Sequence, residues 1–237
     1  MINLHLTETS SADKMNEHSF IAYAAWTSMD AQKEKNDKYH RILEAAIKIF
    51  ARHGFRQSTV AQIAKEAGVA DGTIYLYFKN KDDILVQFFN YKTRLVFDSF
   101  RAEVDKGQNS IDKLRNLIRR HLEEFQRDMD MAVVYQAETH QSSRLAEAQI
   151  KEMSKLYFDL ISEIVEQGQE DGTFRREIYL GLVKRLIIGA VDEVIHTWIH
   201  SEGNYDLVSM ADPLLDLFIR GIGHPGKTGE IPSTGRK

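Results

Sequence analysis

The chain has 237 residues, enough for one large domain or for a small domain joined to a mid-sized one, with a substantial buried core. It has no cysteine, which excludes disulfide scaffolds, thiolate nucleophiles and cysteine-ligated zinc or iron–sulfur centres, and points to a reducing cytoplasm. Hydrophobic residues make up 43% and charged residues 28%, the usage of a packed protein and not of a disordered one, and the net charge of −4 has to be resolved by segment.

Residues 1–36 show no sustained helical period and are expected to form a flexible arm. The apolar run from Phe20 to Trp26 is far shorter than the roughly 20 residues that cross a bilayer. Lys14 is the only cation before it, against Glu8, Asp13 and Glu17, so neither a signal peptide nor a membrane anchor is expected. Met29 is a second candidate start, because periodic structure begins only after it. From residue 37 to residue 222 the apolar spacing is helical, and no alternating pattern is flanked by hairpin turns, which predicts an all-α fold.

Ile42, Leu43, Ala46, Ile47 and Phe50 form the stripe of a first helix that Gly54 ends. Thr59-Val-Ala-Gln62 is a capping box opening a short helix that Gly68 closes, and another short helix begins near Asp71. Asn80-Lys-Asp-Asp83 caps a long helix reaching Gly107. Helices are then expected over 110–127, 131–141, 144–169, 177–201 and 206–222, with Pro213 kinking the last or starting its second half. The residues 223–237, with two of the three prolines, are expected to form a flexible tail.

Two short helices joined through Gly68-Val69 have the shape of a helix-turn-helix, which lays its second helix in the major groove. Val60, Ile63, Ala64, Ala67, Ile74 and Phe78 can pack inward, leaving Thr73, Tyr75 and Tyr77 facing away from the core. Hydroxyls suit phosphate contacts, and Lys79 and Lys81 add charge at the start of the next helix. The residues 37–92 carry nine cations against six anions, about +3, while the remainder carries about −7. That is the charge pattern of a basic DNA-binding head on an acidic body. The DNA interface is therefore assigned to Thr59, Val60, Asp71, Gly72, Thr73, Tyr75, Tyr77, Lys79 and Lys81.

The run Gly68-Val-Ala-Asp-Gly-Thr-Ile-Tyr-Leu-Tyr-Phe-Lys-Asn-Lys-Asp-Asp-Ile-Leu85, after Ile42-Leu-Glu-Ala-Ala46, Phe50, Gly54 and Thr59-Val-Ala-Gln-Ile-Ala64, closely resembles the DNA-binding domain of TetR-family repressors. The resemblance implies a homodimer with a helix-turn-helix on each subunit. It also implies a helical body whose ligand controls release of double-stranded operator DNA. On this reading residues 37–81 are the DNA-binding domain and 82–222 the ligand-binding and dimerisation domain. Asp192-Glu193, Thr197-Trp198 and Tyr205-Asp-Leu-Val208, with the form of residues 70–80, resemble the acyl-CoA-responsive FadR branch. That resemblance implies repression of fatty-acid degradation genes and release by long-chain acyl-CoA.

An acyl chain needs a long apolar tunnel, and the candidate ligand residues are Phe97, Phe100, Arg101, Leu117, Phe125, Val134, Tyr157, Ile187, Val191 and Ile195. Core packing alone would place most of them at the same spacing. Cations for the CoA phosphates could come from Arg94, Arg119, Arg120, Arg144, Lys184 or Arg185 as well as Arg101. The last two helices are apolar on more than one face, and a second subunit is the natural cover.

His196 and His200, four apart with Glu193 a turn earlier, could chelate a metal, but no phosphate loop or nucleophile elbow accompanies them. No catalytic residue, metal or cofactor is expected. Three other functions fit less of the sequence: an efflux-pump regulator binding a hydrophobic drug, a helical metal-dependent enzyme, and an architectural DNA binder without an effector.

Overall fold

The computed structural model describes the backbone of residues 17–140 and 145–223, and side chains over 34–139 and 145–223. Helix α1 spans Glu17–His53. The expected arm over 1–36 is thus helical from Glu17 onward, and Met29 falls inside the helix; residues 1–16 lie outside the described ones. The physical reason is local. No glycine or proline interrupts Glu17–His53, and its alanines, glutamine, lysines and glutamates are strong helix formers, so the helix extends where no apolar stripe announces it.

The chain divides into two units at Ile42. In the first, Lys38 Nζ meets Glu34 Oε1 at 2.5 Å one turn apart, and that bond and charge hold the Glu34 carboxyl below its usual range.

The second unit begins with the last turns of α1, where Leu43, Ala46, Ile47 and Phe50 are buried. Helix α2 (Val60–Ala67) opens on the expected capping box and ends at Gly68, whose φ of 65° is the left-handed conformation that glycine adopts without strain. Helix α3 is Asp71–Ile74. Helix α4 (Lys81–Val104) is capped by Asn80, whose side chain accepts from the Asp83 amide at 2.8 Å. Helix α5 (Ser110–Arg127) matches the predicted bounds. Helices α6 (Met129–His140), α7 (Glu147–Glu170) and α8 (Leu180–His200) differ from the expected bounds by up to three residues, and Arg144 lies outside the described ones.

The predicted last helix is a 3-10 turn, Leu207–Met210, followed by α9, Ala211–Ile222. Pro213 starts the second half and does not kink it: in the first turn its missing N–H removes no intrahelical bond. The expected tail lies outside the described residues from 224 on. Among the described residues the only strand-like feature is an isolated bridge between Phe174 and Gly223.

The body is arranged around α5, which packs against α4, α6, α7, α8 and α9. Its Leu114, Leu117, Ile118 and Leu122 are completely buried, each stabilising the fold by about 1.5–3 kcal/mol relative to exposure. At the end of α7 the chain turns back, and the Phe174 amide donates to the Gly168 carbonyl at 2.8 Å while its ring is buried against that glycine. A Cβ on Gly168 would stand 2.3 Å from the Phe174 ring. Gly168→Ala therefore lowers the urea midpoint, equivalent to about 1–3 kcal/mol, despite alanine's better helix propensity. Urea unfolding of the two proteins measures it.

Candidate nucleic-acid interface and effector cavity

The helix-turn-helix is fixed by short-range bonds. The Thr59 amide donates to Gln62 Oε1 at 2.8 Å and the Gln62 amide to Thr59 Oγ1 at 3.2 Å, so the exposed Thr59 hydroxyl is engaged in its own cap. The Val69 amide returns to the Ala64 carbonyl at 3.0 Å, closing the turn. Ile63, Ala64, Ala67, Ile74 and Phe78 are buried as expected, and Arg52 pairs with Glu66 at 3.2 Å to tie α1 to α2.

Outward, Asp71, Gly72, Tyr75 and Lys79 are exposed, while Val60, Thr73 and Tyr77 are half-buried. Tyr75 presents 59% of its surface. The sequence reading omitted Leu76, which at 78% is the most exposed large hydrophobic residue among the described ones. Its signal was its place between two tyrosines expected to face outward.

Lys81 differs from expectation. Its Nζ donates to the carbonyls of Phe55 at 2.6 Å, Ser58 at 2.9 Å and Arg56 at 3.3 Å, and lies 4.5 Å above the Phe55 ring. All three ammonium protons have acceptors, so the residue anchors the α1–α2 turn to the start of α4 instead of standing free for a phosphate.

In the body, a cavity of about 40 Å³ is lined by Val96, Phe97 and Phe100 from α4, His121 and Phe125 from α5, Tyr135 from α6, Met153, Ser154 and Tyr157 from α7, and Ile188 from α8. The rings meet edge to face or tilted: Phe97–Phe100 at 5.4 Å, Phe100–Tyr157 at 5.8 Å, His121–Tyr157 at 4.9 Å and Phe125–Tyr135 at 5.3 Å. His121 Nδ1 and the Tyr157 hydroxyl are 3.0 Å apart. Burial pushes the His121 imidazole down to about 3, so it is neutral, and pushes both tyrosine hydroxyls upward.

Of the expected ligand residues, Phe97, Phe100, Phe125 and Tyr157 line this cavity. Leu117, Ile187, Val191 and Ile195 are buried core residues outside it, and Ile188, one position from Ile187, takes the lining place. Val134 lines a different cleft of about 200 Å³, beside Arg56 and Glu138. Arg101 is held by both carboxylate oxygens of Glu163, a pair that joins α4 to α7. Arg119 pairs with Asp212, and Arg120 with Glu123 and Glu124. Lys184 Nζ donates to Ser162 Oγ at 3.1 Å, and Arg185 NH1 reaches the Gly181 carbonyl at 3.5 Å. His200 Nδ1 contacts the His196 carbonyl at 2.9 Å, and no three metal-ligating side chains come together among the described residues. Nor is any helix among them long and apolar enough to cross a membrane.

A helix-turn-helix with a hydroxyl-rich outer face, followed by a helical body, defines a DNA-binding regulator. Residues 42–88 match the bacterial regulatory proteins of the tetR family, and residues 89–221 match the C-terminal region of YsiA-like proteins. The chain belongs to the TetR family. It is 36% identical over 190 residues to the fatty acid metabolism regulator protein of Bacillus subtilis, covering 80% of this chain and 98% of that one. It is also similar to the fatty acid degradation regulator FadR from Bacillus halodurans, with TM-score 0.74 and 37% identity over 78% of this chain and 95% of the other. FadR from Bacillus subtilis in complex with stearoyl-CoA gives TM-score 0.72 and 35% identity over 78% and 99%.

Two outcomes follow from these contacts. Lys81→Ala removes a donor from three carbonyls, of which that of Phe55 keeps the Ser58 amide at 3.3 Å, and lowers stability by about 1–3 kcal/mol, read as a drop in urea midpoint. The depressed His121 value means that the unfolded chain binds a proton the native one refuses between about pH 6.5 and 3. Stability is complete above that window and is lost as pH falls through it, by about 1.4 kcal/mol per pH unit from this residue. Urea titrations across pH should show that slope removed in His121→Phe.

Proposed function

We propose that two copies of this chain hold an operator controlling fatty-acid degradation genes, and that a long-chain acyl-CoA entering the aromatic cavity releases them. The observation that carries this reading is the cavity itself, placed on the same helix whose first turn anchors the DNA-binding head. Phe97 and Phe100 line it on α4, and Lys81 opens that helix. The similarity to a fatty acid metabolism regulator over nearly that protein's whole length supports the ligand class, as does a FadR neighbour solved with stearoyl-CoA.

A cavity of about 40 Å³ holds only a few waters at roughly 10–15 Å³ each, so an acyl chain enters by moving its walls apart. The cleft beside Arg56 and Glu138, at about 200 Å³, is larger but carries charged groups and suits an acyl chain less. Each buried methylene returns about 0.8 kcal/mol, so long chains can offset the lost ring contacts and short ones cannot. Among the cations considered for the CoA phosphates, Arg94 is exposed and makes no ion pair among the described residues.

Dimerisation uses α8 and α9. Leu182 and Leu186 stand exposed one turn apart on α8, and Leu217 stands exposed on α9. Gly189 and Gly221 on the same helices face open space. A second copy covering these residues spaces the two heads for successive major grooves, about 34 Å apart.

Anisotropy of a labelled duplex from the promoter of a fatty-acid degradation gene, titrated with stearoyl-CoA, tests the proposal. DNA affinity should fall at least a hundredfold, which corresponds to about 2.7 kcal/mol of preference for the released form, and octanoyl-CoA should have little effect. Affinity unchanged at saturating stearoyl-CoA would overturn the effector assignment.

A further inference from the structure

Leu76 is an anomaly that neither the packing nor the phosphate contacts explain. A large aliphatic side chain is 78% exposed at the centre of the outer face of the helix-turn-helix, beside Tyr75 at 59%. It cannot fold back. The winding that starts at Asp71 continues past α3 through the Leu76 amide to Thr73 carbonyl bond at 3.1 Å and the Tyr77 and Phe78 amides to the Ile74 carbonyl, both at 3.0 Å. Ile74 and Phe78, on either side, are buried and pin the segment.

Gly72 lies one helical turn before Leu76, on the same face, and a Cβ there would meet nothing within 4 Å. Bare backbone therefore adjoins the leucine, so the face can approach a partner closely at that point. Leucine has no donor or acceptor and can bond neither a phosphate nor a polar base edge. Of the groups that base pairs present in a major groove, the thymine C5-methyl is the one bulky apolar group, where cytosine shows only a C5–H.

We infer that Leu76 packs on a thymine methyl in each half of the operator and is a specificity-determining residue of this protein. The inference rests on the DNA-binding reading of the preceding section. The tyrosines and Lys79 on either side hold the backbone and carry no sequence information, whereas Leu76 distinguishes a thymine from every other base at one position.

The test uses the full chain and a duplex that it enriches from a random-sequence pool. Each thymine is replaced in turn by deoxyuridine, which keeps the base pair and removes only the methyl, and binding is followed by anisotropy for the wild type and Leu76→Ala. One thymine per half-site should respond, with wild-type affinity falling about fourfold for one half-site and about fifteenfold for both, the value of one and two buried methyl groups. Leu76→Ala should bind the thymine duplex more weakly and lose nothing further on deoxyuridine replacement at that position, while its affinity for an unrelated duplex stays unchanged. Equal deoxyuridine losses in both proteins would assign the methyl to another residue, and no response at any thymine would place Leu76 on sugar or on another protein. Either result overturns the inference. A pool that enriches no duplex would instead overturn the DNA-binding reading on which it stands.

Discussion

The continuity of α4 is the constraint on which the rest of the molecule depends. One helix runs from Lys81 to Val104, with an Asn80 cap at its start and the ring-lined cavity against Val96, Phe97 and Phe100. An α-helix shortens or stretches only by breaking its hydrogen bonds, so the ~24 Å between Lys81 and Phe97 transmits displacement almost rigidly. At its first turn the Lys81 ammonium grips three carbonyls of the α1–α2 turn. On the proposed function, a ligand that widened the cavity on its α4 side would tilt the element that positions the helix-turn-helix, so that DNA and ligand would favour different placements of the same helix.

This cavity, if the proposed acyl chain occupies it, should discriminate chain length more than head-group charge. Its walls are in ring-to-ring contact, and its polar groups are neutral. His121 is held uncharged by burial at hydrogen-bonding distance from Tyr157, while the ionic pairs Arg101–Glu163 and Arg119–Asp212 join helices elsewhere and Arg120–Glu124 lies within α5. Among the described residues no fixed charge lines the cavity to reward an anionic tail or a cationic drug. Affinity there must come from apolar area, which grows with every methylene, against a fixed cost of separating the rings.

What the sequence disclosed, and what it did not, follows from the range of each interaction. Caps span three residues, so Thr59 with Gln62, Asn80 with Asp83, and Gly68 at its turn placed the helix-turn-helix closely. The acceptors of Lys81 lie 23 to 26 residues away, beyond any local pattern, and its role was invisible for that reason. Helical period finds a buried face but cannot separate the side chains that fill a core from those that border a void. Ile187 and Ile188 are neighbours, yet only Ile188 lines the cavity, because one residue turns the side chain by about 100° around the helix. The first part of α1 was missed for the opposite reason: high propensity without an apolar stripe leaves no period to detect.

The charge count also changes meaning once partners are known. Within the second unit Arg52 is paired with Glu66, Lys92 with Asp128 at 3.0 Å, and Lys81 with backbone carbonyls, whereas Lys65 and Lys79 remain exposed. Cations already engaged within the protein displace few counterions from DNA, so the electrostatic share of affinity is smaller than the positive sum over residues 37–92 suggests. On the proposed function the balance would fall to short-range contacts of Tyr75, Tyr77 and their neighbours, which need the head in one orientation. On that reading, such contacts would be lost on a small tilt that a long-range attraction would tolerate, which would let a modest preference of the effector for one helix position control occupancy of DNA.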